Sequence, residues 1–132
     1  ELLTAELFGA GAWFTDKLLS NVHRVGAIVR GLPQAAIVHV ARDPLDVAWS
    51  CWRARFDADS AWSGSPEGIA CYLGHFERAM ATWHELHPGR IVRVAYEDLV
   101  RSPGETIPAL LAACGLPDDR ATRQPQLSTR PV

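Results

Sequence analysis

Short apolar runs alternate with longer amphipathic stretches along the 132 residues of the chain. Residues 36–40 and 91–95 have the length and β-branching of buried strands. Helices are predicted where apolar residues recur at three- and four-residue spacing between capping signals: residues 21–31, a stretch opening at Pro44, a long stretch opening at Pro66, and residues 103–114. Strands that alternate with helices pair in parallel, so the pattern predicts an α/β fold with a parallel sheet flanked by helices.

The longest predicted helix carries a regular apolar stripe. Ser65-Pro66-Glu67 is typical of a helix start. The apolar positions that follow it at helical spacing are Ile69, Leu73, Phe76, Met80 and Trp83. This spacing predicts a helix face that is buried in the core and does not form a cofactor site.

A cation and a hydroxyl flank the junction between the first strand and the next helix. Asp43 is predicted to cap this helix, and Arg42 is predicted to lie at the carboxyl end of the strand, where open parallel sheets bind ligands. Ser50 follows about 9 Å along the helix by helical rise. It lies away from the apolar face that is predicted to pack on the sheet, which comprises Leu45, Ala48, Trp49 and Trp52. An arginine fork and a serine hydroxyl suit a phosphate, whereas the ordinary alternative is an Arg42–carboxylate pair and a solvated Ser50.

Three segments, in this order, resemble the bacterial branch of the sulfotransferases that use 3′-phosphoadenylyl sulfate (PAPS). Residues 14–21 (FTDKLLSN) resemble the family's Asp-Lys-x-x-x-Asn strand end. Residues 42–50 (RDPLDVAWS) resemble its strand-to-helix junction. Residues 92–100 (VRVAYEDLV) resemble its Tyr-Glu-Asp segment, which a short helix and the Gly-Leu-Pro of residues 115–117 follow. The resemblance implies a partial three-layer sulfotransferase fold of the P-loop nucleotide-binding type.

The resemblance also implies roles for four residues. Arg42 and Ser50 resemble the pair that holds the 3′-phosphate of the donor. Lys17 resembles the lysine near the transferring sulfuryl group, where a cation stabilises developing charge; the alternative is a solvated loop lysine. Tyr96 resembles a tyrosine near the adenine, or else is a buried aromatic at a strand end. Local roles, supporting the turn or capping the following helix, are expected for Asp16, Asn21, Glu97 and Asp98.

Two elements of that family have no counterpart in the sequence. Residues 9–12 (GAGA) are too poor in hydroxyls and cations to replace the loop that cradles the 5′-phosphosulfate. The C-terminal segment that surrounds the 3′-phosphate in relatives is also missing. The position of the catalytic histidine of many members is Leu19, so no general base is assigned; His23 is the nearest candidate and is expected to face the helix surface. Because the chain also begins at Glu1, we expect a fragment of a longer protein, inactive on its own.

Composition narrows the remaining function classes. Hydrophobic residues make up 48% of the chain and the net charge is −2, which argues against a disordered or nucleic-acid-binding chain. No apolar run approaches the length of a membrane span, and no signal segment is visible. Cys51, Cys71 and Cys114 are predicted to be reduced core thiols, as in a cytoplasmic protein. His84 and His87 have no further ligands nearby in sequence, so no metal site is predicted.

These observations predict one partial sulfotransferase domain over residues 1–117 and a polar, flexible segment over residues 118–132. The predicted activity of the parent protein is sulfuryl transfer from PAPS to a hydroxyl or amine acceptor that the sequence does not name. In the predicted loop of residues 55–65, Phe56 and Trp62 either line the acceptor pocket or anchor the loop. Two alternatives stay open: a phosphotransferase on a related fold, which the lack of a Gly-rich Lys-Ser/Thr loop disfavours, and a non-catalytic nucleotide-binding or scaffold module fused to a repeat domain. The oligomeric state is not predicted.

Overall fold

The computed structural model describes residues 14–54, 56, 58–118 and 122. Its elements are, in chain order, a 3₁₀ helix (Leu19–Arg24), α1 (Val25–Gly31), β1 (Ile37–Ala41), α2 (Pro44–Ala54), a second 3₁₀ helix (Ala58–Gly64), α3 (Pro66–Leu86), β2 (Ile91–Ala95), α4 (Tyr96–Arg101) and α5 (Pro103–Ala113). The predicted α/β class and the predicted strands and helices are therefore confirmed. The loop prediction for residues 55–65 was wrong, because residues 58–64 form a helical turn. The predicted flexible segment, residues 118–132, lies almost entirely outside the described residues.

The helix starts depend on the predicted capping side chains. Asp43 Oδ1 accepts hydrogen bonds from the backbone N–H groups of Leu45, at 2.9 Å, and Asp46, at 3.1 Å. Ser65 Oγ accepts from the N–H of Gly68 at 3.0 Å. These bonds satisfy N–H groups that have no partner within the first turn of a helix. The two long helices that follow β1 therefore begin at defined residues, α2 at Pro44 and α3 at Pro66.

The sheet pairs β1 with β2 in parallel, as the alternating pattern predicts. Its register aligns Ile37 with Ile91 at one end and Ala41 with Ala95 at the other. The crossover between the strands consists of α2, the second 3₁₀ helix and α3. Because both strands end at the same edge, the residues that follow Ala41 and Ala95 leave the sheet side by side.

The core lies where α3 crosses β2 and the first 3₁₀ helix. Met80 and Ile91 are buried there against Val22 and Val25. The indole Nε1–H of Trp83 donates to the carbonyl of Val22 at 2.7 Å and so secures the N-terminal elements to α3. The predicted stripe on α3 is confirmed, since its members are buried or half-buried along the helix: Ile69, Leu73, Phe76, Met80 and Trp83.

The predicted packing face of α2 was wrong. Leu45 is 78% exposed and Trp49 is 63% exposed. The helix instead turns Cys51 inward, with half-buried Val47 one turn before it, and contacts α3 and the second 3₁₀ helix. The sequence of α2 carries apolar residues on two adjacent stripes, and helical spacing alone does not distinguish which of them faces the core.

The three cysteines differ in burial. All three cysteines are free, but only Cys51 is buried; Cys114 is half-buried and Cys71 is exposed, so the core prediction was wrong for Cys71.

The Trp62 ring stacks on Tyr72 with centroids 4.0 Å apart and planes 9° apart. Trp62 therefore anchors its segment to α3. In the described part of the chain, no helix is both long and apolar enough to span a bilayer.

Candidate functional site at the carboxyl edge of the sheet

Arg42 and Tyr96 meet at the carboxyl edge of the sheet. Each residue directly follows a strand, and the register places them next to each other. The guanidinium carbon of Arg42 lies 4.6 Å from the centroid of the Tyr96 ring, in cation–π geometry. The alternative of a buried Tyr96 is excluded, because this residue is 40% exposed and begins α4.

The nitrogen atoms of the Arg42 guanidinium differ in their hydrogen-bond partners. Its Nη2 lies 3.2 Å from Oδ2 of Asp46, one turn into α2. Its buried Nε has no hydrogen-bond partner among the described residues. The ion pair is partly exposed on the Arg42 side and mostly exposed on the Asp46 side, so its contribution to stability is about 0–1 kcal/mol. The ion pair with Asp46 thus holds the arginine in place, while its unpaired Nε is enclosed by the protein.

A hydrogen bond also joins the β1–α2 junction to the β2–α4 junction. Glu97 Oε1 accepts a hydrogen bond from the backbone N–H of Asp43 at 3.0 Å. This bond, the N–H of Glu97 itself and the charge of Arg42 hold the pKa of the Glu97 carboxyl below its usual value. The N-cap residue of α4 is Ala95, which has no capping side chain. The Glu97 carboxylate accepts its own first-turn N–H as well as that of Asp43, whereas Asp98 faces Arg101, so the expected capping role was wrong for Asp98 alone.

Lys17 lies at the other end of the described chain, before the first 3₁₀ helix. Its side chain is exposed, and residues 14–18 form no regular secondary structure, so the strand end implied by the resemblance is not formed there. The turn around it is supported as predicted, since Asn21 Nδ2 donates to Oδ2 of Asp16 at 3.0 Å. His23 is exposed, also as predicted.

The four sequence-predicted site residues are brought together only in part. Arg42 and Tyr96 are in contact, and Ser50 lies exposed two turns into α2. Within the described part of the chain, neither Lys17 nor Ser50 makes a hydrogen bond, an ion pair or a ring contact to Arg42 or Tyr96.

A pair of histidines that the sequence analysis did not foresee lies inside the fold. His39 is buried on β1, and its Nδ1 lies 3.2 Å from Nε2 of His84 on α3. Burial, followed by the neighbouring His84, lowers the pKa of His39. The described residues contain no group of three or more potential metal ligands among His, Cys, Asp and Glu, and His87 stacks on Trp83 instead. The pairing depends on β1 lying against α3, which no local sequence signal reports.

An open hollow of about 450 Å³ lies between β2 and α5. Arg93, Asp98 and Glu105 contribute its charged groups, and Thr106 lines its helix side. Lys17, Arg42, Ser50 and Tyr96 are not part of its lining, so it is separate from the Arg42–Tyr96 edge.

Comparison with known proteins places these features in a family. The sequence matches the Sulfotransferase family over residues 3–120, most of the chain. It is also 36% identical over 121 residues to a protein of Aquifex aeolicus (strain VF5) that bears the name "Uncharacterized protein"; the aligned segment covers 89% of this chain and 16% of that relative. No solved structure matches the chain. The family match includes the carboxyl edge with Arg42, Ser50 and Tyr96 as well as the Lys17 segment, and the chain belongs to the sulfotransferase family.

Proposed function

We propose that the complete protein carrying this chain transfers a sulfuryl group from PAPS to a hydroxyl or amine acceptor. The observation that supports this most is the contact between Arg42 and Tyr96 at the carboxyl ends of two paired parallel strands, in a chain of the sulfotransferase family. Open α/β sheets bind nucleotides at this edge.

Arg42 is the proposed ligand of the donor's 3′-phosphate. A guanidinium offers two parallel donors to phosphate oxygens, and stacking on Tyr96 restricts its rotation before the ligand arrives. Ser50 is exposed on α2 and adds a hydroxyl donor to the same phosphate. The exposed part of the Tyr96 ring is then available to the adenine.

Lys17 is the proposed electrostatic catalyst. In the transfer, the acceptor oxygen or nitrogen attacks the sulfur while the bond from sulfur to the bridging phosphate oxygen breaks. The bond electrons leave on the 5′-phosphate of 3′-phosphoadenosine 5′-phosphate (PAP), and the acceptor loses its proton to a base. A cation beside the bridging oxygen stabilises the charge that develops there. Exposed Lys17 is free to turn toward such a group.

The chain by itself is proposed to be inactive. Arg42, Ser50 and Tyr96 address only the 3′-phosphate and adenine side of the donor. Transfer of a sulfuryl group that the chain does not orient lacks the several kcal/mol by which positioning lowers the activation barrier. The aligned segment also spans only 16% of its Aquifex relative, which is consistent with further functional parts elsewhere in a complete protein.

The direct test is a transfer assay on the complete protein with ³⁵S-labelled PAPS and a panel of alcohols, phenols and amines. We expect transfer to at least one acceptor, a loss of about 10- to 150-fold in kcat/KM for Arg42→Ala, and wild-type rates for Arg30→Ala, an exposed arginine at the end of α1. Binding of PAP without transfer to any acceptor would contradict the enzymatic proposal and favour a non-catalytic nucleotide-binding module.

A further inference from the structure

We propose that Glu97 is a positioning residue that holds Arg42 in place for the 3′-phosphate. The inference rests on the proposed function and assigns a role at the same site to a residue that does not itself touch the donor. Its basis is the bond from the Asp43 N–H to Glu97 Oε1, which joins residues 54 positions apart in the chain.

Two contacts between neighbouring residues join the β1–α2 junction to the β2–α4 junction. Arg42 lies on Tyr96, and the next residue on each side makes the second contact, from Asp43 to Glu97. The strand register ends at the pair of Ala41 and Ala95, so the Glu97 side chain continues the cross-strand bonding one step beyond the sheet. Without this bond, the Asp43 N–H at the edge would have only solvent to pair with.

The bond fixes the backbone from which the arginine departs. Because the Asp43 N–H is bonded to Glu97, the peptide that links Arg42 to Asp43 is held next to the carboxyl end of the neighbouring strand, β2. The Asp43 carboxylate meanwhile caps α2 by accepting from Leu45 and Asp46. Glu97 therefore sets the position of the arginine and the start of the helix at the same time.

The charge of Glu97 supports the same arrangement. The pKa of Glu97 is lowered mainly by the N–H of Asp43, then by its own N–H and less by Arg42, so the side chain is an anion at neutral pH. Asp98, the adjacent acid, instead faces Arg101 on its own helix at 3.7 Å. The two neighbouring acids thus have different partners, and Asp98 serves as the matched control.

The test is isothermal titration of the complete protein with two ligands, PAP and adenosine 5′-phosphate, which lacks the 3′-phosphate. Their affinity ratio reports the 3′-phosphate contact and is insensitive to a general loss of stability. We expect Glu97→Ala to lower PAP affinity about tenfold, the scale of one lost hydrogen bond to a charged group, while adenosine 5′-phosphate binding changes less than about twofold. Glu97→Gln, whose amide oxygen accepts the same N–H, should restore most of the ratio. Asp98→Ala should match wild type.

Several results would overturn the inference. An unchanged ratio in a folded Glu97→Ala protein, or an equal loss for both ligands, would show a merely structural role. If Glu97→Ala does not fold, Glu97→Asp, whose carboxylate is one methylene shorter and misses the Asp43 N–H, must show the same loss of ratio. A wild-type protein that does not distinguish the two ligands would instead contradict the proposed function itself, and the inference with it.

Discussion

Arg42 Nη2 lies 3.2 Å from Oδ2 of Asp46, so a carboxylate occupies one donor of the guanidinium that the proposed phosphate requires. A phosphate on that edge must displace Asp46 or accept a negative charge beside it. Both effects oppose binding. The ion pair orients the arginine, and we expect it to weaken binding of the proposed nucleotide.

Removing the charge of Asp46 should strengthen nucleotide binding. We expect Asp46→Asn to lower the dissociation constant for PAP about two- to fivefold, because an exposed ion pair contributes up to about 1 kcal/mol. Isothermal titration of the complete protein measures this change. Asp98→Asn, an exposed acid away from Arg42, should leave the constant unchanged. Weaker binding by Asp46→Asn would show that Asp46 mainly orients Arg42 and does not compete with the ligand.

Lys17 should act on turnover more than on binding. We expect Lys17→Ala to reduce kcat of the complete protein by about tenfold or more while its affinity for PAP changes little, because the stabilisation grows as charge develops on the transferring group. Single-turnover kinetics with labelled PAPS separates the two quantities. Arg30→Ala removes another exposed cation, at the end of α1, and should have no effect. Equal losses in turnover and affinity would reduce Lys17 to a binding residue.

The buried imidazole of His39 makes the free energy of unfolding depend on pH. Burial and His84 lower the pKa of His39 in the folded chain, outweighing Glu77, and Arg93 acts in the same direction. The unfolded chain therefore binds more protons between the folded pKa and the ordinary value of 6.5. By linkage, the free energy of unfolding falls as pH drops below about 6.5 and recovers above it.

Urea unfolding of the chain at several pH values between 5 and 8 checks this dependence. His39→Phe keeps an aromatic ring beside Phe76 but cannot be protonated, so the slope of unfolding free energy against pH should decrease. His75→Gln removes an exposed histidine of α3 and should keep the wild-type slope. An undiminished slope in His39→Phe would assign the pH dependence to other groups.

The elements of this fold follow from local sequence patterns, and the contacts of its site do not. The β-branched runs, the Asp43 and Ser65 caps and the α3 stripe each depend on residues close in sequence, and all of them are present. The contact of Arg42 with Tyr96 depends on strand register, which the sequence of neither strand specifies.

The same limit applies to the roles that the prediction missed. Glu97 was expected only to cap its own helix, but its carboxylate also accepts the Asp43 N–H at the end of the paired strand. On α2, the stripe with Leu45 and Trp49 looked like the buried one, while the packing of α3 selected the side with Cys51. Tertiary neighbours decided both cases.

The proposed role of Arg42 is to bind the 3′-phosphate of the donor nucleotide. Its most direct test is the ratio of affinities for PAP and adenosine 5′-phosphate, measured by isothermal titration of the complete protein as wild type, Arg42→Ala and Arg42→Lys. We predict that wild type prefers PAP and that Arg42→Ala loses about 1.5–3 kcal/mol of PAP binding with little change for adenosine 5′-phosphate. Arg42→Lys should recover only part of the preference, since a point charge lacks the planar fork. An Arg42→Ala protein that binds PAP as tightly as wild type would show that Arg42 does not bind the 3′-phosphate.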